Sequence, residues 1–253
     1  MTRDESAPRR RFFVAALGPQ RVTLDESESH HAVHVLRLKV GTVVELFNGR
    51  GGRAVGEVVE LRRGSVSVEI HSRSEATDRP RPAVHLAFAV PKGKRLDWLL
   101  EKATELGAAS LGPVIFERSV AGGAELSPAK QGRWLGHCVS AGKQCGLDWL
   151  PEINPARRLG EFLAEFGCKD RLGVLGDATP GAQSLSAALA SRVQRDVCIL
   201  VGPEGGLSDT EGQRALAAGF VPTRLGRTTL RTETAAIALL AGAAAICGQE
   251  PGE

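Results

Sequence analysis

The pattern of apolar residues changes at one polar segment, residues 75–82, which carries two prolines among charged side chains. Before this segment, short runs rich in β-branched residues are separated by glycine-containing turns, which is typical of a small β domain. One amphipathic stretch, residues 29–38, interrupts them and predicts a helix with Ser29 as its N-cap. After the segment, short apolar runs alternate with helical periodicity, which predicts an α/β domain with a mostly parallel sheet. The sequence therefore predicts two domains joined by a linker.

The predicted elements follow the same division. The predicted strands before the polar segment are residues 12–17, 43–47, 54–61 and 65–70. The predicted strands after it are residues 84–90, 114–116, 172–175, 197–201 and 221–225. The predicted helices after it are residues 94–106, 127–145, 159–166, 185–193, 208–218 and 232–247, and Ser208 with Glu211 has the spacing of a capping box.

Composition and missing motifs exclude several classes of protein. Hydrophobic residues make up 42% of the chain and charged residues 24%, which is ordinary for a globular protein. Five cysteines without a C-x-x-C pair exclude a disulfide scaffold and the usual zinc ribbons, and they favour a reducing cytoplasm. The longest uncharged stretch, residues 234–249, is shorter than the roughly 18 residues that span a bilayer, so no membrane partner is expected. P-loop, G-x-S-x-G and H-E-x-x-H motifs are absent, and no metal site is expected.

Two segments that lead from a predicted strand into a predicted helix contain the candidate functional residues. Residues 199–208, Ile-Leu-Val-Gly-Pro-Glu-Gly-Gly-Leu-Ser, lead from a buried strand through three glycines to a capped helix. Glycines let a backbone approach a ligand, and ligands of open α/β sheets bind at strand ends, although a tight turn needs the same residues. Residues 225–235, Leu-Gly-Arg-Thr-Thr-Leu-Arg-Thr-Glu-Thr-Ala, again follow a strand and precede a helix of Ala, Leu and Ile. Because that helix is apolar all round, we expect it to be buried on every side.

Together these two segments resemble the SPOUT class of S-adenosylmethionine-dependent RNA methyltransferases. More closely they resemble the RsmE family, which methylates N3 of a uridine in 16S ribosomal RNA. The similarity continues in family order at residues 10–13, 30–37, 92–94, 98–107, 117–119, 133–134 and 150–153. It departs at Ser140 and Lys143, where the family usually has acidic residues, and at Leu147, where it usually has Arg.

The resemblance implies a fold, a cofactor and partners. It implies a PUA-like RNA-binding β-barrel over residues 1–75, a linker over 76–82 and a SPOUT methyltransferase domain over 83–253. That α/β domain would contain a deep trefoil knot, with the knot and the cofactor site at about residues 197–247. The implied cofactor is S-adenosyl-L-methionine, and the implied partners are 16S ribosomal RNA, within the small ribosomal subunit, and a second copy of the chain. The cofactor pocket would lie beside the interface of the homodimer.

Each expected function is assigned to particular residues. The expected cofactor-binding residues lie after three strands: Leu175 and Gly176; Gly202, Pro203, Glu204, Gly205 and Gly206; and Leu225, Gly226, Leu230 and Thr232. The residues assigned to the RNA backbone are Arg9, Arg10, Arg11, His34 and Arg37. Arginine suits bidentate contacts with phosphate. The chain is rich in arginine, although a GC-rich genome would give the same excess.

Methylation of a uridine at N3 requires the N3 proton to leave and the uracil anion to be stabilised. We expect Arg231 to supply the cation, since its planar fork can face a uracil carbonyl. Glu233 either accepts the proton, orients Arg231 or complements the helix dipole. By analogy with the family, Arg118 also reaches the site, unless it forms a surface salt bridge. Two other functions stay open: SPOUT methylation of another RNA position or a ribose hydroxyl, and a catalytically silent RNA-binding module.

Overall fold

The computed structural model describes residues 10–62, 64–119, 127–166, 171–179, 181–190 and 195–247. Its contacts divide the chain into two units, one of Met1–Arg79 with Gly142–Trp149 and one of Pro80–Ala141 with Leu150–Glu253. The sequence pattern assigned residues 142–149 to the carboxyl-terminal domain, whereas the contacts place them in the first unit. The physical reason is a set of bonds within that unit, including one of 2.9 Å from the Gly51 amide to the Asp148 carbonyl.

The described part of the first unit is built on a five-stranded sheet. Its strands are β1 (Arg11–Phe13), β2 (Arg21–Thr23), β3 (Val43–Phe47), β4 (Gly52–Arg62) and β5 (Ser65–Glu75), and a helix, α1 (Glu26–His30), follows β2. The strand order is β1-β3-β4-β5-β2; β1 pairs with β3 in parallel, and the other neighbours are antiparallel. Phe12, Val44, Leu46 and Val68 lie in its core with no exposed surface.

The helix of the first unit begins earlier than the sequence pattern predicted. Its N-cap is Asp25, whose side chain accepts a bond from the Glu28 amide, and one π-helical turn, His31–Val35, continues it. The predicted N-cap, Ser29, is buried. Its hydroxyl donates to the Leu24 carbonyl at 3.1 Å and accepts from the Val66 amide at 3.2 Å. Ser29 therefore joins the helix to the sheet and does not cap it.

The described part of the second unit is an α/β layer structure. Its strands are β6 (Val84–Ala89), β7 (Ser110–Ile115), β8 (Glu152–Ile153), β9 (Arg157–Arg158), β10 (Leu172–Gly176), β11 (Gln183–Ser184), β12 (Val197–Val201) and β13 (Phe220–Arg224). Its helices are α2 (Lys94–Glu105), α3 (Pro128–Cys145), α4 (Leu159–Phe166), α5 (Leu185–Leu189), α6 (Asp209–Ala217) and α7 (Thr232–Cys247); the last turn of α3 belongs to the first unit. The strand order is β11-β13-β10-β12-β6-β7-β8, with β9 also on β7, and all these pairs are parallel. The strand–helix alternation predicted a mostly parallel sheet.

Helices cover both faces of this sheet because side chains along each strand alternate between two cores. Leu86 and Ile199 point into the core that holds residues of α2, α5 and α7. Their neighbours Ala87 and Leu200 point into the core that holds residues of α4 and α6. Central strands buried on both faces read as continuous apolar runs, which explains why β12 was recognisable from the sequence.

The last helix, α7, is only partly covered within one chain. Ala236 and Leu240 are fully buried, whereas Thr234 and Ala245 are exposed. The expectation of burial on every side is therefore met on one face of α7 and not on the other. The trefoil knot stays a prediction, because strand order and pairing do not establish it. In the described ranges no helix combines the length and hydrophobicity needed to cross a membrane.

Candidate active site

Adjacent parallel strands bring the predicted cofactor loops to one edge of the sheet. The strands β13, β10, β12 and β6 are neighbours in that order, so their carboxyl ends lie side by side. Gly176 at the end of β10 pairs with Thr223, and Leu175 pairs with Leu200. The loops that follow β10, β12 and β13 therefore start from one edge, which is where open α/β sheets bind ligands.

The loop after β12 makes a tight turn, and hydrogen bonds hold it in place. Gly206, with a φ of +69°, donates its amide to the Pro203 carbonyl at 2.9 Å. Ser208 and Glu211 form the predicted capping box of α6. The same Glu211 carboxylate, 4% exposed, also accepts a bond of 2.8 Å from the Glu117 amide. Sequence spacing indicated the capping box but not its second bond, which fixes the segment that carries Arg118.

Arg118 lies against the glycine-rich loop. Its Nη1 donates to the Gly205 carbonyl at 3.0 Å and, more weakly, to the Leu207 carbonyl at 3.4 Å. A Cβ at Gly205 would lie 3.3 Å from the Arg118 Cβ, so glycine leaves room for this contact. Arg118 is exposed and bound to backbone, and among the described residues it forms no salt bridge, the alternative considered for it.

The loop after β13 joins the glycine-rich loop through one buried bond. The Thr232 hydroxyl, in the first turn of α7, donates to the Gly202 carbonyl at 3.1 Å. The loop residues before it, 225–231, are exposed, and Leu225 and Leu230 expose 40% and 36% of their surface. A Cβ added at Gly226 would meet nothing within 4 Å. The glycine-rich loop and the loop after β13 are thus in contact. The loop after β13 carries exposed apolar residues and a glycine.

The two charged residues of this loop have different environments. Arg231 is exposed, and within the described ranges its guanidinium forms no hydrogen bond or ion pair. Glu233, 7% exposed, places Oε1 3.6 Å from Nε of Arg95, on α2. No bond between Glu233 and Arg231 is present there, so the expectation that Glu233 orients Arg231 is not supported.

Arg95 is a residue that the sequence analysis missed. It lies between two loops, with Nη1 3.7 Å from the Glu204 carboxylate and Nε 3.6 Å from that of Glu233. In sequence it is one of several cations at the start of an amphipathic helix, where charged side chains are usually solvated. Only the position of α2 beside α7 distinguishes it.

The residues assigned to RNA lie in the first unit and differ in exposure. Arg10, His34 and Arg37 are exposed, and Arg10 donates to the Leu36 carbonyl at 2.9 Å. Arg37 adopts a φ of +51°, an uncommon conformation for a residue with a side chain, just after the π-helical turn. Arg9 lies outside the described residues.

Arg11 was wrongly assigned to RNA. Its side chain is 8% exposed and pairs with the carboxylates of Glu45 and Asp148. Its Nη1 donates to the carbonyls of Gly142 and Leu147, and its guanidinium lies 4.4 Å from the centre of the Phe47 ring. A buried guanidinium with these partners is not available to a phosphate. Arg11 lies on the face of β1 opposite the core residue Phe12, and residues 142–149 supply the partners that bury it, which charge alone did not reveal.

The residues that depart from the family pattern are partly explained. Lys143 forms an ion pair of 2.8 Å with Glu28, and both side chains are largely buried. The Leu147 carbonyl accepts from Arg11, which does not depend on its side chain. Ser140 is exposed, and nothing in the structure explains its departure. Lys143 therefore pairs with a carboxylate inside the first unit.

Comparisons with known proteins agree with this architecture. The family described as RNA methyltransferase domain matches residues 78–244, and that described as RNA methyltransferase PUA domain matches residues 24–70. A parallel sheet with glycine-rich loops at its carboxyl edge, preceded by a PUA-type unit, thus defines an RNA methyltransferase. In the described part of the chain no cluster of three His, Cys, Asp or Glu side chains is arranged to hold a metal.

Individual relatives narrow the family. Ribosomal RNA small subunit methyltransferase E of Synechocystis is 32% identical, over 87% of this chain and 71% of its own. A putative methyltransferase of Legionella pneumophila, solved with SAM, has a TM-score of 0.83 and 30% identity, covering 94% of this chain and 98% of its own. Ribosomal RNA small subunit methyltransferase E of Neisseria gonorrhoeae, solved with S-adenosyl methionine, has a TM-score of 0.79 and 29% identity, covering 92% and 96%. The chain belongs to the ribosomal RNA small subunit methyltransferase E family.

Proposed function

We propose that this chain transfers a methyl group from S-adenosylmethionine to N3 of a uridine in 16S ribosomal RNA. The observation that carries the proposal is the junction of the two motif loops, where Thr232 binds the Gly202 carbonyl at the edge of the parallel sheet. Family membership supports the same reaction, and the Legionella and Neisseria relatives were solved with the cofactor bound. The proposed setting is the cytoplasm, where the small ribosomal subunit is assembled.

The three loops at this edge fit the cofactor. Leu225 and Leu230 offer apolar surface suited to the adenine ring, and Gly226 leaves open space beside them. Backbone groups of residues 202–206 and 175–176 complete the proposed binding surface. When bound, S-adenosylmethionine supplies a methyl group activated by a sulfonium, so the protein needs neither a metal nor a covalent intermediate. The protein holds the reactants in line, which supplies much of the rate.

Two arginines are the proposed catalytic residues. Arg231 has no partner within the described ranges, so its guanidinium is free to face the uracil carbonyls. Negative charge develops on those oxygens as the N3 proton leaves to water, and a cation that faces them stabilises it. Arg118, which donates to the Gly205 carbonyl, is positioned by the cofactor loop itself. Glu233 is only 7% exposed and its Oε1 faces Arg95, so we do not assign it as the acceptor of the proton.

Variants of Arg231 test this mechanism. Arg231→Ala is expected to lower the single-turnover rate by roughly 10²- to 10³-fold, the usual loss for one preorganised donor. The affinity for the cofactor is expected to be retained. Arg231→Lys restores only part of the rate, because an ammonium lacks the planar fork. A wild-type rate in Arg231→Ala would remove this residue from the mechanism.

The product identifies the reaction. Small ribosomal subunits from cells that lack the protein are incubated with the purified chain and methyl-labelled cofactor, and the RNA is digested to nucleosides. Labelled N3-methyluridine is the expected product. A ribose-methylated nucleoside would instead support another SPOUT activity, and binding of RNA without any label would support a catalytically silent module.

We further propose that the chain is a homodimer and that its first unit binds RNA. The partly exposed face of α7 carries Ile237, Ala238 and Ala241 between the exposed Thr234 and Ala245, which suits close packing against a second copy. Arg10, His34 and Arg37 supply exposed polar and cationic groups for the RNA backbone. Light scattering at micromolar concentration tests the dimer, and a monomeric mass would contradict it.

A further inference from the structure

One oxygen of Glu233 lacks a partner although it is buried. The residue is 7% exposed and lies in the first turn of α7. Its Oε1 faces Arg95, whereas Oε2 accepts no hydrogen bond from any group in the described ranges. Leaving a buried carboxylate oxygen without a donor is costly, so such an atom in a native protein requires an explanation.

The ion pairs at this carboxylate contain more negative than positive groups. Arg95 is shared between Glu204 and Glu233, at 3.7 Å and 3.6 Å, so two carboxylates face one guanidinium. The N-terminus of α7 contributes about half a positive charge, which favours the ionised form of Glu233 but donates no bond to Oε2. The site therefore combines an unpartnered acceptor with charge that a cationic donor would neutralise.

The position of Glu233 connects this acceptor to the cofactor loops. The preceding residue, Thr232, binds the Gly202 carbonyl, and the other carboxylate on Arg95 belongs to Glu204 of the glycine-rich loop. Oε2 is thus buried where the two loops meet. We expect a ligand held by both loops to lie beside this junction.

We propose that Oε2 of Glu233 accepts a hydrogen bond from the α-ammonium group of the cofactor's amino-acid portion. The inference rests on the proposed function. The adenine amine and the ribose hydroxyls are also donors, but they are neutral, whereas the local charge excess favours an ammonium. Arg95 is then a positioning residue, which holds Oε1 so that Oε2 faces the ligand. This assignment gives Glu233 a role in cofactor recognition and none in removing the N3 proton.

Binding of three ligands, compared by calorimetry, measures the contribution of the ammonium group to affinity. S-adenosylhomocysteine carries the group, its deaminated analogue replaces the ammonium by hydrogen, and 5′-methylthioadenosine lacks the whole amino-acid portion. The wild-type protein is expected to bind S-adenosylhomocysteine roughly 10- to 100-fold more tightly than the deaminated analogue, as for one charged hydrogen bond. In Glu233→Gln this preference falls to about threefold or less, while affinity for 5′-methylthioadenosine is unchanged.

Variants of Arg95 test its positioning role without removing the acceptor. Arg95 is 46% exposed, so its substitution is compatible with folding. Arg95→Gln is expected to reduce the preference for the amino compound, and Arg95→Lys to retain most of it. Glu204→Gln, the matched removal of one carboxylate, is expected to reduce the preference less than Glu233→Gln does.

Two results would overturn the assignment. One is a full wild-type preference for the amino compound in Glu233→Gln. The other is an equal loss of 5′-methylthioadenosine affinity in that variant, which would make Glu233 a support of the whole pocket. If the wild-type protein bound none of the three ligands, the proposed function would fail as well, and binding without discrimination would overturn this inference alone.

Discussion

Arg11→Ala tests the conclusion that this arginine stabilises the first unit. The side chain is 8% exposed, and its guanidinium donates to Glu45, to Asp148 and to two backbone carbonyls. Truncation removes all four bonds at once. It leaves Glu45 partly buried without its cation, and it leaves Asp148 with the more distant Arg53, at 4.0 Å.

The expected loss of unfolding free energy follows from these contacts. A hydrogen bond to a charged group contributes about 1.5–3 kcal/mol, and two of the four acceptors are carboxylates. Glu45 and Asp148 expose 26% and 28% of their side chains, so water replaces part of the lost bonding. We therefore expect a loss of about 3 kcal/mol, the lower end for breaking a buried ion pair. This corresponds to a roughly 100-fold change in the unfolding equilibrium.

The measurement has to report on the first unit alone. Hydrogen exchange in peptides from β1 and β3, followed across a urea series, gives the local unfolding free energy. Arg10→Ala is the matched control, since Arg10 is exposed and makes one bond, to Leu36, and its loss is expected to stay within about 0.5 kcal/mol. A loss below about 1 kcal/mol in Arg11→Ala would refute the reasoning.

Three further predictions concern the cofactor loops and one titrating group. Gly226→Val is expected to weaken S-adenosylmethionine binding at least tenfold in calorimetry with little change in melting temperature, because a Cβ there meets nothing within 4 Å; Gly160→Val, equally free of contacts, is the control, and unchanged binding would remove Gly226 from the site. Thr232→Val should cost about 1–2 kcal/mol in urea unfolding by leaving a buried carbonyl unpaired, and Thr232→Ser should not. Burial and the charge of Lys143 lower the pKa of His31 below its ordinary 6.5. As the pH falls, His31 is therefore protonated in the unfolded chain before it is protonated in the folded protein. Its contribution to stability is complete above pH 6.5 and declines as the pH falls below 6.5. An NMR titration should show this pKa rising in Lys143→Met, and a wild-type value of 6.5 or more would contradict the prediction.

The sequence by itself determined the order of most elements and the position of the cofactor loops. The buried run of β12, the glycines after it and the capping box of Ser208 are local patterns, and local patterns survive folding because neighbouring residues alone produce them. Parallel alternation then implies that strand ends share one edge. For the same reason the loops after three of the strands were expected to bind one cofactor.

Only the tertiary structure decided which charged side chains act together. Arg11 pairs with Asp148, far along the chain, and Arg95 links two glutamates that belong to separate loops. Such pairs depend on which elements become neighbours and on the face that each residue presents to its neighbour. Neither of these can be seen as a periodic pattern in the sequence. The energy of a charge depends on its burial and partners, so Arg11 is buried in ion pairs whereas its neighbour Arg10 is exposed.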